Sequence, residues 1–323
     1  MEKNKKFNFT KILAPIVLVL LYLFFSIFGR NFFSDDYLIN ILDGSYYIGF
    51  MAIGVTFVII TGGIDLSLGT TMMCAALLGG AAFNIWHWPM IWCLLLVVFV
   101  ATAIGFLNGV LVAYLNLPPF IATLGTQMMG MGFGAILTRV QTMRYPTFGT
   151  PEGWFKNFFY KTTAGFPVGI FWLFGFFLIA LILLSKTKFG RYTFAIGSNR
   201  EAARLSGIKI NPWLTGVYTF CGFCCGLAGI FYAAVYTSII PSTGNGMELL
   251  GIAGVVIGGT SMAGGTGTLV GTLIGVYIMS VLKQGLMSMG LQSHWQTFFT
   301  GVVVIGAVLL DQYRLKQGAK VKK

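Results

Sequence analysis

Apolar residues run along this chain in long stretches without strand-like alternation, separated by short polar or glycine-rich breaks. Stretches near 12–28, 44–61, 69–84, 90–114, 119–137, 166–184, 214–235, 248–262, 268–286 and 295–310 approach the ~20 residues that a helix needs to cross a bilayer. The pattern predicts an all-α, polytopic membrane helix bundle of about ten transmembrane helices, one domain over residues 1–323. A membrane β-barrel would show segments of about ten alternating residues instead. The first stretch is too long for a signal-peptide core, and no small-x-small site precedes Arg30, so it is expected to remain as a span.

Charge lies in the breaks. Lys3, Lys5, Lys6 and Lys11 open the chain; Lys186, Lys188, Arg191, Arg200, Arg204 and Lys209 fill the segment 185–213; Arg314, Lys316, Lys320, Lys322 and Lys323 close it. Basic residues mark cytoplasmic loops, and an even span count puts both termini on that same side. The other side receives Arg30, Arg139, Arg144, Lys156 and Lys161. The net charge of +12 is therefore a topology signal, and nucleic-acid binding is not implied. Composition agrees, with 56% hydrophobic and 9% charged residues against about 25% charged in soluble domains. The 43 glycines let membrane helices approach closely.

Within 185–213, Ser198 and Glu201 have the S-x-x-E spacing of a capping box, and Gly207 suits a left-handed helix stop. A helix of about two turns is marginal in water, so one with both ends capped and small Ala202 and Ala203 on one side is expected to dock into something. An ordinary capped connector would carry the same pattern. The segment 137–165, with Arg139, Arg144, Trp154, Lys156 and Lys161, is the longest break on the opposite side and suits an acidic protein rim.

Two glycine segments resemble each other: Val58-Ile59-Ile60-Thr61-Gly62-Gly63-Ile64-Asp65-Leu66-Ser67-Leu68-Gly69-Thr70 and Val255-Val256-Ile257-Gly258-Gly259-Thr260-Ser261-Met262-Ala263-Gly264-Gly265-Thr266. Their similarity suggests duplicated halves. Paired glycine breaks point to interrupted helices around a solute path, because unwound backbone at membrane depth must be buried or line a cavity. Asp65, Ser67, Asn108, Thr123, Gln127, Thr260 and Ser261 are the candidate path residues; capping of the third helix is the competing use of Asp65, and hydrogen bonding between helices that of Asn108 and Gln127. Glu248 opens a span.

Catalytic arrangements are absent. His87 and His294 fall at span ends, no HExxH or GxSxG occurs, and Cys74, Cys93, Cys221, Cys224 and Cys225 sit in or beside spans as packing residues. No metal or bound cofactor is expected. The chain also lacks a G-x-x-x-x-G-K-[ST] loop, so work driven by ATP and Mg²⁺ would need a partner.

Four separated motifs carry a family resemblance: Gly62-Gly63-Ile64-Asp65-Leu66-Ser67; Gly105-Phe106-Leu107-Asn108-Gly109 with Pro119-Phe120-Ile121-Ala122-Thr123-Leu124-Gly125; Phe189-Gly190-Arg191 through Ala202-Ala203-Arg204-Leu205-Ser206-Gly207-Ile208; and Val255-Val256-Ile257-Gly258-Gly259-Thr260-Ser261. In this order they resemble the permease subunits of ribose, xylose and galactose type ATP-binding cassette importers, nearly end to end. The resemblance implies a bacterial inner-membrane permease that moves a neutral polar solute, above all a monosaccharide. It implies a second permease copy, a cytoplasmic ATP-binding subunit and an extracytoplasmic solute-binding protein. It also makes Ser198, Asn199, Arg200, Glu201, Ala202, Ala203, Arg204 and Gly207 a coupling helix that seats in the ATPase.

Two departures bear on the solute. Leu249-Leu250-Gly251-Ile252-Ala253 stands where the family often has Leu-Asp-Ala-Ile-Ala, and Thr266 stands where an Arg is common. Related permeases carry nucleosides or a furanose-like signal, which remains an alternative. An ion-coupled secondary transporter would need paired intramembrane charges, and an intramembrane enzyme a nucleophile and base.

Overall fold

The computed structural model describes residues 9–320; Lys3, Lys5, Lys6, Lys322 and Lys323 lie outside the described residues. Its helices are α1 (Phe9–Phe28), α2 (Asp35–Ile60), α3 (Leu68–Asn84), α4 (Met90–Ala113), α5 (Pro119–Leu137), α6 (Trp154–Phe159), α7 (Gly169–Lys186), α8 (Lys188–Ser198), α9 (Arg200–Leu205), α10 (Ile210–Tyr236), α11 (Met247–Ile257), α12 (Leu269–Ser288) and α13 (Ser293–Lys320). Seven of them, α2, α4, α5, α7, α10, α12 and α13, are long and apolar enough to cross a membrane, while the apolar parts of α1, α3 and α11 are shorter. The protein is a polytopic helical membrane protein. At 11 residues, α11 is about 16 Å long, roughly half of a ~30 Å hydrocarbon layer.

Helix α2 forms the axis of the bundle and is buried on every face from Gly44 to Ile60. It packs against α10, α12, α11 and α7. Small residues make the tightest seams: a Cβ placed on Gly105 of α4 would stand 2.7 Å from the Cα of Gly222 on α10. Lipid gives helices no hydrophobic drive to associate, so backbone-to-backbone approach of this kind supplies the dispersion contacts instead. By contrast α13 keeps Phe298, Ile305 and Leu309 exposed.

One departure from an all-α chain is a small antiparallel ribbon, β1 (Met143–Arg144) against β2 (Ser238–Ile239). The 137–165 segment folds down onto the bundle with it, and the Tyr145 hydroxyl donates to the Ala76 carbonyl at 2.7 Å. This corrects the expectation of a loop offering all its cations. Lys156 is buried, with its ammonium 5.5 Å from the Phe148 ring centre and 5.6 Å from that of Tyr160. Burial pulls its pKa below the ordinary lysine value, partly opposed by Asp43.

Candidate functional site

The polar segment between α7 and α10 forms two helices, α8 and α9, with Asn199 extended between them. Asn199, not Ser198, caps α9: its side-chain oxygen accepts the Ala202 N–H at 2.9 Å. Ser198 is consumed as the last residue of α8, and Glu201 accepts instead from Arg204 Nε at 3.1 Å. The expected Ser198–Glu201 capping box is therefore absent, because Asn199 is as good a cap and lies one residue nearer the helix. The stop is as expected. Gly207 has φ +84°, its N–H reaches the Arg204 carbonyl and the Ile208 N–H reaches that of Ala203, the paired bonds of a Schellman end.

Ala203 faces inward and is buried against Ile196 and Ile210, so it secures α9 to its own protein. The outward face is Arg200, Glu201, Ala202, Arg204 and Leu205, the last 77% exposed. The hydrogen bond from Arg204 holds the Glu201 carboxyl below its ordinary value, and Glu201 raises Arg204 in turn.

Behind this face three backbone segments meet. Helices α2 and α11 both end at glycines in the left-handed region, Gly62 (φ +77°) and Gly259 (φ +95°), with the same bonding: Gly63 N–H to the Val58 carbonyl in one, Thr260 N–H to Val255 in the other. The loop after α11 then returns to α2, where Gly265 N–H donates to the Ile60 carbonyl at 2.8 Å. Gly197 of α8 fits into this junction. A Cβ there would overlap the Ile60 carbonyl and stand 2.7 Å from the Gly265 nitrogen. Beside the junction, Gly62, Asn116, Pro118, Arg200 and Tyr218 line a cavity of about 350 Å³.

Deeper in the bundle the N-termini of the two short helices come together. At Gly69 on α3 a Cβ would overlap the Gly244 carbonyl and stand 3.0 Å from Glu248 Oε2 on α11. Each start carries a buried carboxylate. Asp65 accepts the Ser67 N–H at 2.8 Å and its hydroxyl at 2.6 Å, and Glu248 accepts the Gly246 N–H at 3.0 Å. Negative charge is stabilised at such helix N-termini.

Around Asp65 the candidate residues form a closed network. Asn108 donates to Ser67 Oγ at 2.9 Å and accepts from Thr126 at 2.6 Å, while the Thr123 hydroxyl accepts the Leu66 N–H at 3.1 Å. Gln127 bridges to Asn245 at 2.8 Å. Asp65, Ser67, Asn108, Thr123, Thr126 and Gln127 are buried in this conformation, while Asn245 is exposed. Thr260 and Ser261 do not join them; they lie at the glycine junction, Ser261 donating to Asp311 at 3.1 Å and Thr260 Oγ1 without a partner. Thus the start of α3 meets the 237–246 segment where Gly69 and Gly244 approach, and the first glycine segment meets the second at the α8 junction. Of the two sequence departures, Leu250, standing where the family often has Asp, is partly buried against the apolar core, and the Thr266 carbonyl closes the second glycine loop by accepting the Ser261 N–H.

Residues 37–308 match the family described as "Branched-chain amino acid transport system / permease component". The chain belongs to this permease family. Among its curated relatives, the ribose import permease protein RbsC of Escherichia coli K12 is 38% identical over 92% of each chain, and that of Bacillus subtilis 168 is 37% identical over 93% of this chain and 92% of its own. The fructose import permease protein FrcC of Rhizobium meliloti is 32% identical over 94% of this permease and 86% of its own length. No solved structure matches.

Sequence reasoning missed the 237–246 segment, where Thr237, Ser242, Gly244 and Gly246 all have positive φ. The Pro-Ser-Thr-Gly-Asn-Gly run at 241–246 is a turn signal that marks it. Thr126 and Asp311 were missed too; nothing in their local sequence announces a long-range partner.

Proposed function

We propose that this permease is the membrane subunit of an ATP-binding cassette importer and passes a monosaccharide into the cytoplasm. The observation that carries this reading is the α8–α9 segment, whose polar face is exposed and whose inner side joins both glycine turns at one junction. A push on α9 reaches α2 and α11 through backbone contacts, without a flexible side chain between. The relatives' names as ribose and fructose import permeases supply the solute class. ATP and Mg²⁺ belong to the partner ATP-binding subunit and none to this chain; a solute-binding protein delivers the sugar, and a second permease copy and lipid surround the rest.

In this account α1, α3 and α11 complete ten passes in one domain, and both termini and the 185–213 segment lie in the cytoplasm, as the basic residues indicate. The two glycine turns are the paired breaks of duplicated halves. The path runs past the facing starts of α3 and α11, by Asp65, Ser67, Asn108, Thr123 and Gln127, to the cavity beside Arg200, with Thr260 and Ser261 at its inner rim. Hydroxyls and amides suit a polyhydroxylated solute, because they exchange hydrogen bonds without forming a deep well.

The test is reconstitution of the permease with its ATP-binding subunit and solute-binding protein in vesicles, with labelled ribose, fructose, galactose and a branched-chain amino acid offered in turn. ATP-dependent uptake of one sugar and not of the amino acid is expected. Uptake of the amino acid alone, or sugar uptake driven by an ion gradient without ATP, would overturn the reading.

A further inference from the structure

The second glycine loop, residues 258–268, is closed by bonds of its own and tied to α2 by the Gly265 N–H at the Ile60 carbonyl. Ser261 N–H reaches the Thr266 carbonyl, Gly264 N–H the Ser261 carbonyl, and Ala263 N–H the Ser261 hydroxyl at 3.3 Å. Two of its donors leave the loop for one side-chain atom: Ser261 Oγ–H at 3.1 Å and Met262 N–H at 3.0 Å both reach Oδ2 of Asp311 on α13. Asp311 is buried on a helix whose membrane-crossing part is otherwise largely exposed. Next along the loop, Gly264 and Gly265 make the contacts with Gly62, Gly197 and Ser198 that close the junction behind α9.

From this geometry we infer that Asp311 is a positioning residue for coupling, which holds the second glycine loop against α8 so that movement of α9 is passed to α11, α12 and α13 as one body. A carboxylate is well suited to this role, since a single oxygen accepts two hydrogen bonds and charged acceptors make these bonds stronger than neutral ones. Without it, the Ser261 hydroxyl and Met262 N–H lose the bonds that tie them to α13, and the loop can slip from Gly197 while α9 still docks. The inference rests on the importer reading.

The experiment measures, in vesicles holding permease, ATP-binding subunit and solute-binding protein, both ATP hydrolysis and sugar uptake per inserted permease. The unsubstituted permease must couple the two; failure there would count against the importer reading and not against Asp311. Given that coupling, Asp311→Ala is expected to keep hydrolysing ATP but to move about tenfold less sugar per ATP, within the range typical of coupling between sites. Asp311→Asn, which keeps an acceptor oxygen of the same reach, is expected to restore most of the ratio. Ser261→Ala removes the hydroxyl link without touching α13 and is expected to give a smaller loss, which also covers the case of an Asp311→Ala chain that does not insert. An unchanged ratio in Asp311→Ala or in Ser261→Ala would overturn the inference, as would an Asp311→Asn ratio no better than that of Asp311→Ala.

Discussion

Gly197→Ala concentrates the consequences of the junction in one methyl group. In an exposed helix this change would gain about 1 kcal/mol of propensity. At Gly197 the added Cβ overlaps the Ile60 carbonyl and stands 2.7 Å from the Gly265 nitrogen, two backbone groups joined by a 2.8 Å hydrogen bond. Overpacking of this kind costs ~1–3 kcal/mol, and prising the bond apart costs ~1 kcal/mol more. The balance is unfavourable by ~1–3 kcal/mol, and the cheapest relief is to move α8 away from α2 and the second glycine loop. Sugar uptake per ATP should therefore fall while insertion and ATP hydrolysis persist. Gly175→Ala on α7, where a Cβ meets nothing within 4 Å, is the control and should transport normally. Wild-type uptake per ATP by Gly197→Ala would refute the idea that the junction transmits the movement.

Three other outcomes follow from the site. Asn199→Ala should loosen α9 by ~0.5–2 kcal/mol while Ser198→Ala stays near neutral, read by amide exchange across 200–207. Because Arg204 holds Glu201 below the ordinary glutamate value of 4.5, the pair supports α9 above that value and is lost as pH falls through the lowered one; exchange at α9 should rise there, and salt should blunt the effect since both groups are exposed. Asn108→Ala leaves Ser67 and Thr126 without a shared partner and should lower thermal stability by ~1–3 kcal/mol; a fully stable variant would show that the network is wet in the resting protein.

Much of this is legible in the chain, for identifiable reasons. Apolar runs near 90–114 and 268–286 become α4 and α12 within a residue or two, because nothing in their surroundings competes with helix. The stop at Gly207 is legible because a left-handed residue favours glycine locally. The start of α9 lies one position from where the S-x-x-E spacing puts it: Ser198 and Asn199 are both caps, and only the extended backbone at Asn199, set by the packing of α8, chooses between them. Ala203, expected on the docking face, proves to be the anchor of α9, since helix phase cannot be read over six residues. The polar cluster shows the widest gap. Asp65, Ser67 and Asn108 bond to one another, but what lies across the bundle beside them is the 237–246 segment, with Gly244 against Gly69 and Asn245 bonded to Gln127, and not Thr260 and Ser261, an arrangement that depends on how far each short helix descends.

Cross-linking from α9 tests the central claim most directly. All five native cysteines are buried, so a single new one can be addressed in the otherwise unchanged chain. Leu205→Cys, on the exposed face, should cross-link to the ATP-binding subunit in the assembled complex, whereas Ala203→Cys, on the inner face, should not. Cross-linking of Leu205→Cys to the solute-binding protein, or to neither subunit while the complex remains assembled, would contradict the assignment of α9 as the coupling helix.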